Sequence, residues 1–340
     1  MPGNTDRQFL DASWKRWIAE NVLKGNSPEE LITILIQNGF SENLARLEVG
    51  TACEHPYVDA ARSVARQLAK RDWLLNTIRE LRDPDGSFTI AERAEITTAE
   101  FKAQFYEANR PLILRGFLTR WPAVQTWTPE LLKERCGDLQ VELQARRSSN
   151  PDFELQPQLH RESHSFAEFV DYCFADSVSN DKYMTARNGA SNQDVLRRLQ
   201  SDFDAIPEFL DASRASRENF LWIGPKGTIT PLHHDLTNNM MAQVVGEKKI
   251  RLVSPDSLPF MYNHLHVYSE VSLASIDVQR FPLFGRVHII DIVIRPGDLF
   301  FLPVGWWHHV ESLSTSITIT CTNFLWPNDF SQSYTTYGQI

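Results

Sequence analysis

Apolar residues in the first eighty positions recur at helical spacing. One helical face is formed by Leu10, Trp14, Trp17 and Ile18. Ser27 precedes a proline and lies three positions before Glu30, which is the pattern of a capped helix start. Ser41 offers the cap of a third helix, and a further apolar stripe follows at Tyr57, Ala61, Val64, Leu68, Leu75 and Ile78. The pattern predicts a helical bundle or hairpin array, forming an N-terminal domain over residues 1–82 that serves interaction or dimerisation.

The stretch RDPDGS at positions 82–87 is rich in turn-forming residues. It predicts a domain boundary, and residues 83–96 are interpreted as a linker. Helices are expected around Phe101 and Phe105, after the Thr128-Pro129 pair, and within 165–174 and 193–206. The apolar run PLILRG at 111–116 predicts one buried strand among these helices.

From residue 219 the pattern changes to short apolar or alternating runs separated by turns. Strands are predicted at 220–223, 240–245, 249–253, 287–294, 298–302 and 316–322. The run SITITCT alternates polar and apolar residues, as a half-buried antiparallel strand does. Many short strands with PGD and VGE turns indicate a double-sheet jelly roll, or double-stranded β-helix. The predicted fold class is therefore α+β, with a jelly-roll core, flanking helices and the N-terminal helical domain.

A set of metal-binding side chains lies within these predicted strands. His233 and Asp235 are two positions apart in a strand-like run, so their side chains point to the same face. His308, in the run FFLPVGWWHHV, offers a third ligand. Two histidines and one carboxylate on one face of a metal are the ligands of non-haem Fe(II) oxygenases. We call these three residues the metal triad; the adjacent His234 and His309 face the other way and are interpreted as structural.

Composition limits the function classes further. The 340 residues include 42% apolar and 23% charged residues, which is typical of a soluble globular protein of about two domains. A formal net charge of −9 gives no electrostatic reason to expect a nucleic-acid partner. No CxxC motif connects the four dispersed cysteines. The polar N-terminus does not resemble a signal peptide and no apolar run has the length of a membrane span, so a cytoplasmic protein is expected.

A series of motifs resembles the JmjC or cupin-like family of Fe(II)- and 2-oxoglutarate-dependent oxygenases. In chain order they are TPLHHD, VGEKK, RPGDLFFLPVGWWHHVES and SITITCTNF. This group includes the asparaginyl hydroxylase acting on the hypoxia-inducible factor and its bacterial cupin-like relatives. The resemblance runs from about residue 97 to 327. It implies a JmjC/cupin-like oxygenase domain over residues 97–330, followed by a tail at 331–340.

The resemblance also implies roles for individual residues. The metal triad would bind Fe(II). Lys248 would pair with the distal carboxylate of 2-oxoglutarate, and Thr230 and Tyr183 would donate hydroxyl groups near it. Asn239 and Asn323 match asparagines close to the other end of this cosubstrate. The implied reaction couples oxidative decarboxylation of 2-oxoglutarate by O2 to hydroxylation of a C–H bond, and a protein or peptide side chain is the expected substrate.

Several alternatives remain open at the level of sequence. Hydroxylation beside nitrogen would make the chain an N-methyl demethylase. A small molecule or an RNA base is another substrate class, and manganese is another metal. A non-catalytic, metal-binding cupin-like interaction module is the alternative outside enzymes, although a retained Lys248 favours catalysis. The segment 256–283 differs from the family pattern. The fourteen residues after Trp326 are too few for a helical dimerisation element, so a homodimer through the N-terminal helices is considered instead.

Overall fold

The structure, a computed structural model, describes residues 9–150 and 152–336. Contacts divide the chain after Ile78 into two compact units. Within the described residues, no helix combines the length and the apolar character that crossing a membrane requires.

The first unit contains three short helices around a small core. These are α1 (Ala12–Leu23), α2 (Pro28–Gln37) and α3 (Glu42–Glu54). The Ser27 hydroxyl accepts from Glu30 N while the Glu30 carboxylate accepts from Ser27 N, which confirms the predicted capping box of α2. Ser41 caps α3, as predicted. The buried core consists of Leu10, Ile18, Val22, Leu31, Ile32, Leu35, Phe40, Ala45 and Val49.

A fourth helix, α4 (Pro56–Arg82), follows and contains no buried residue. Its predicted apolar stripe is largely exposed: Tyr57 is 82% exposed, Val64 56% and Leu68 50%. The predicted helix is confirmed, and its apolar stripe does not belong to the buried core of the first unit. Periodicity identifies the apolar side of a helix and does not identify what covers it.

The described part of the second unit contains six further α-helices and twelve strands. The helices are α5 (Thr98–Phe101), α6 (Ala123–Thr126), α7 (Pro129–Cys136), α8 (Phe166–Phe174), α9 (Gly189–Leu199) and α10 (Ala215–Glu218). The strands are β1 (Ala91–Arg93), β2 (Leu112–Leu114), β3 (Gln140–Gln144), β4 (Arg161–Ser165), β5 (Asn219–Gly224), β6 (Ile229–His234), β7 (Asn239–Val245), β8 (Lys248–Val253), β9 (Ile290–Ile294), β10 (Leu299–Leu302), β11 (Trp307–Ser312) and β12 (Ser316–Cys321). A π-helical turn, Lys102–Tyr106, continues α5.

Two sheets form the jelly-roll core. The larger has the strand order β1-β2-β10-β7-β12-β5, the smaller has the order β6-β11-β8-β9, and β3 and β4 form a separate pair. Apolar side chains from both sheets pack together between them, including Ile113, Met241, Ile250, Ile292, Phe300 and Val310. On its other face the larger sheet packs against helices through Phe101, Leu132, Val170 and Leu196. The predicted α+β jelly-roll fold is confirmed.

One segment departs from the predictions, and another is a long insertion. The 83–96 segment, interpreted as a linker, contains β1, which pairs in parallel with β2 at the edge of the larger sheet. Three residues are too few to show a period of two, and the strand is held by Arg115, whose guanidinium donates twice to the Glu92 carboxylate. Between β8 and β9 lies a long insertion, residues 254–289. Its apolar side chains pack on the smaller sheet together with Leu232, Val253 and Trp307.

Candidate active site

Strands β6 and β11 bring the two histidines of the metal triad together. They pair antiparallel with His308 directly opposite His233, and the centroids of the two rings are 4.1 Å apart. The register then shifts, because Val310 pairs with Thr230 and β6 thus contains one extra residue. Pro231 lies in this bulge, where its missing N–H removes no ladder hydrogen bond. The bulge lets Thr230 and His233 both line one cavity.

Asp235 completes the metal triad just beyond the end of β6. One ligand atom from each triad residue lies within 4.8 Å of the others, and Asp235 Oδ1 is 3.7 Å from His233 Nε2. His233 Nδ1 donates to Pro231 O at 2.8 Å, and His308 Nδ1 donates to Trp306 O at 3.0 Å. Because a carbonyl only accepts, both rings carry their proton on Nδ1, and both Nε2 atoms are available to a metal.

The electrostatic environment keeps the buried histidine in its ligand form. Burial is the largest cause that lowers the pKa of the His308 imidazole, and the neighbouring His233 is the second. A neutral imidazole is the form that binds a metal. The two imidazoles and one carboxylate are therefore arranged as three ligands on one side of a single metal position, next to an open cavity.

A cavity of about 330 Å³ connects the metal triad to a buried lysine. Lys248 Nζ donates to Tyr183 Oη at 3.3 Å, and Thr230 lines the same cavity. The structure thus places these three predicted cosubstrate residues side by side. Burial lowers the pKa of Lys248 to about 7. No carboxylate of the described residues lies within 4 Å of its ammonium group.

A second buried cation lies behind Tyr183. The Arg147 guanidinium is stacked between the rings of Phe153, at 4.2 Å, and Tyr183, at 5.0 Å. It donates to Ile229 O, and Glu154 Oε1 is 3.5 Å from its Nη2. Burial lowers the pKa of Arg147. Lys248, Tyr183 and Glu154 line this end of the cavity, and Arg147 lies behind the Tyr183 ring. The buried Lys248 ammonium favours an anionic ligand.

The two asparagines expected near the cosubstrate lie in different places. Asn239 lines the cavity, and its Nδ2 donates to Asp235 Oδ2 at 3.4 Å. Asn323 does not reach the cavity: its Nδ2 donates to Asp211 O, and the side chain lines a separate small cavity. Thr320 and Thr322 line the active cavity, whereas Asn323, just beyond the end of β12, lines the separate small cavity. The structure therefore places Asn239, and not Asn323, in the cavity of the metal triad.

Other cavity residues were missed by sequence reasoning. Trp222 lies on β5, lines the cavity and donates its indole N–H to Thr320 Oγ1. In the sequence, only its position within a predicted strand could have indicated this role. Tyr268, from the 254–289 insertion, stacks on the His233 ring with centroids 5.8 Å apart. No local pattern identifies such a contact. His234 was interpreted as structural; it packs edge-on against Trp307 and also reaches the cavity.

Comparison with known proteins agrees with this geometry. The sequence model of a family described as "Cupin-like domain" matches residues 98–332. The chain is 29% identical over 229 residues to lysine-specific demethylase 8 of Xenopus tropicalis, covering 65% of this chain and 49% of that protein. It is 27% identical to lysine-specific demethylase JMJ30 of Arabidopsis thaliana, covering 72% and 56%. It is 25% identical to tRNA wybutosine-synthesizing protein 5 of Danio rerio, covering 71% and 76%.

The chain spans about half the length of these two demethylases. The matched family covers most of the second unit, including every strand of the two sheets except β1, the metal triad and Lys248. The chain therefore belongs to the cupin-like domain family, the JmjC and cupin-like group of Fe(II)- and 2-oxoglutarate-dependent oxygenases that its motifs resemble.

Proposed function

We propose that the chain is an Fe(II)- and 2-oxoglutarate-dependent oxygenase that hydroxylates a C–H bond of a protein or peptide side chain. One observation carries this proposal. A metal triad and a buried lysine without a carboxylate partner among the described residues line the same cavity. A non-catalytic binding module would not need a buried lysine in the cavity that its metal ligands line.

The triad fits a divalent iron ion. Its donor set of two neutral imidazoles and one carboxylate suits Fe(II) and leaves coordination positions open toward the cavity. The backbone carbonyls of Pro231 and Trp306 hold the two rings in the orientation that a metal requires. When bound, iron, 2-oxoglutarate and O2 supply an oxidative decarboxylation that is coupled to oxidation of a C–H bond.

The cationic end fits the distal carboxylate of 2-oxoglutarate. Lys248 would donate a charge-assisted hydrogen bond to it, and the hydroxyl groups of Tyr183 and Thr230 would complete its shell. Arg147 supports this arrangement by fixing the Tyr183 ring from behind. Asn239, bonded to Asp235, would orient that metal ligand close to the reacting end of the cosubstrate.

The remaining cavity suits a single side chain. The whole cavity has a volume of about 330 Å³ and must hold both the cosubstrate and the reacting group of the substrate. The space beside the cosubstrate then has room for one extended side chain. Apolar walls from Trp222, Met241 and Val310 would exclude water from the reaction. The net charge of −9 supports a protein or peptide rather than a nucleic acid as the partner.

N-methyl demethylation is the second candidate function. It is favoured by the names of two similar relatives, both of which are called lysine-specific demethylases. The same cavity would serve both reactions, since hydroxylation of an N-methyl group releases formaldehyde.

One experiment separates these outcomes. The Fe(II)-loaded chain is incubated with 2-oxoglutarate and a peptide library, in which each peptide is present with and without N-methyl lysine. Stable mass gains of one oxygen atom, with matching succinate, support hydroxylation. Formaldehyde together with loss of a methylene mass from methylated peptides supports demethylation. No mass change in any peptide, together with turnover of small molecules or RNA assayed in parallel, would contradict the protein substrate.

We further propose that α4 contributes to a homodimer. Val64, Leu68 and Ile78 are exposed and lie at positions that a helix brings to one side. Exposed apolar side chains of this kind are typical of surfaces that a partner covers.

A further inference from the structure

A short turn, residues 303–306, contacts two members of the metal triad, Asp235 and His308. It joins β10 to β11 just before His308. Gly305 N donates to Asp235 O at 3.2 Å, and Trp306 O accepts from His308 Nδ1 at 3.0 Å. A displacement of this turn would therefore move the backbone at Asp235 and the hydrogen bond that orients His308.

Asn109 holds this turn from outside the two sheets. Its Nδ2 donates to Val304 O at 2.9 Å, and its Oδ1 accepts from Trp306 Nε1 at 3.0 Å. Its backbone carbonyl accepts from the same indole N–H. The residue has a φ of +50°, a conformation in which asparagine is tolerated better than most residues. It lies shortly after the π-helical turn Lys102–Tyr106, a type of feature frequent near functional sites.

A second asparagine holds the opposite edge of the turn. Asn238 Oδ1 accepts from Val304 N at 2.9 Å, and Asn238 precedes β7 on the chain that leads from Asp235. Both backbone polar groups of Val304 are thus bonded to asparagine side chains. Trp306 is fully buried, so its indole N–H depends on Asn109 for a partner.

We propose that Asn109 is a positioning residue for the metal site, which acts through Trp306 to set the orientation of His308. This inference rests on the proposed metal centre. Asn109 does not contact the metal triad. It fixes the turn whose Trp306 carbonyl keeps the proton of His308 on Nδ1, and this leaves Nε2 available to the metal.

Three variants of the full chain separate positioning from general stability. Asn109→Gly removes both side-chain bonds while tolerating the positive φ. Asn109→Asp keeps the acceptor for Trp306 and loses the donor to Val304. Trp306→Phe removes the indole N–H but keeps the backbone carbonyl that orients His308. Asn150→Gly is the matched control, because Asn150 also caps a turn through its side chain but lies outside the metal site.

Two readouts do not depend on turnover. Mn(II) affinity is measured by electron paramagnetic resonance of the free ion, and the tautomer of His308 is measured in the metal-free protein by ¹⁵N NMR. Asn109→Gly is expected to weaken Mn(II) binding by about 10- to 100-fold, the usual effect of losing an outer-shell partner, and to populate the Nε2–H tautomer of His308. Asn109→Asp should recover part of the affinity, and Trp306→Phe should reproduce part of the loss.

The results distinguish failure of this inference from failure of the proposed function. If the wild-type chain binds Mn(II) and Asn109→Gly binds it equally well with an unchanged His308 tautomer, the positioning role is refuted. An equal loss in Asn150→Gly would also refute it, because general destabilisation would then explain the effect. A wild-type chain that binds no divalent metal would overturn the proposed function and the inference together.

Discussion

Replacing Lys248 by methionine should weaken cosubstrate binding and stabilise the ligand-free protein at the same time. Methionine has a similar length and carries no charge, so it fills the space of the lysine side chain. The variant loses the charge-assisted hydrogen bond to 2-oxoglutarate. Such bonds contribute about 1.5–3 kcal/mol, which corresponds to a loss of about 10- to 150-fold in affinity. Binding of Mn(II) should change little, because Lys248 is not a member of the metal triad.

The stability effect follows from the pKa of Lys248. Burial lowers this pKa from 10.5 to about 7, so the folded state disfavours the charged form. The penalty is fully present below pH 7 and disappears as the pH rises through 10.5, because the unfolded chain binds more protons in that window. At pH 7 the penalty has an upper limit of about 4 kcal/mol. Lys248→Met removes it and should raise the free energy of unfolding.

Two assays test this prediction. Calorimetric titration of 2-oxoglutarate into the Mn(II)-loaded protein gives the affinity, which should also fall in the wild type as the pH rises above 7. Urea denaturation of the metal-free protein at several pH values gives the stability. The wild type should gain stability between pH 7 and 10, and Lys248→Met should lack this gain. A variant that is less stable than the wild type at pH 7, with unchanged affinity, would refute the reasoning.

Further predictions concern the metal ligand, the asparagines and the dimer. His308→Ala should abolish Fe(II)-dependent succinate formation while the far-ultraviolet circular dichroism stays unchanged; persistent turnover would remove His308 from the triad. Asn323→Ala should change the affinity for 2-oxoglutarate by no more than about twofold. Asn239→Ala should lower the affinity for the metal about tenfold. A large loss in both variants, or in neither, would contradict the placement of the two asparagines. Val64→Lys combined with Leu68→Lys should convert a dimer to a monomer in light scattering, and a monomeric wild type would contradict the proposed dimer.

The metal triad could be predicted from sequence because its information is local. His233 and Asp235 are two positions apart at the end of β6, and the fold supplies His308 on the neighbouring strand. The capping box at Ser27 is local in the same sense. The jelly roll followed from many short strands with turns between them, although β1 was too short to show a pattern.

Contacts between residues far apart in the chain could not be predicted from the sequence. Tyr268 reaches His233 because of the path of the 254–289 insertion, and Arg147 reaches Tyr183 through an irregular loop. Asn323 lies beyond the end of β12, where no strand periodicity predicts which cavity its side chain faces. The exposure of α4 was also not predictable, because an apolar stripe does not reveal its partner.

The most direct test of the central claim is anaerobic titration of 2-oxoglutarate into the Fe(II)-loaded chain. Chelation of the metal by the keto acid gives a weak visible charge-transfer band. The band should appear in the wild type and be absent in His308→Ala. A wild-type chain that binds Fe(II) but never develops the band would contradict 2-oxoglutarate chemistry and favour a metal-bearing interaction module.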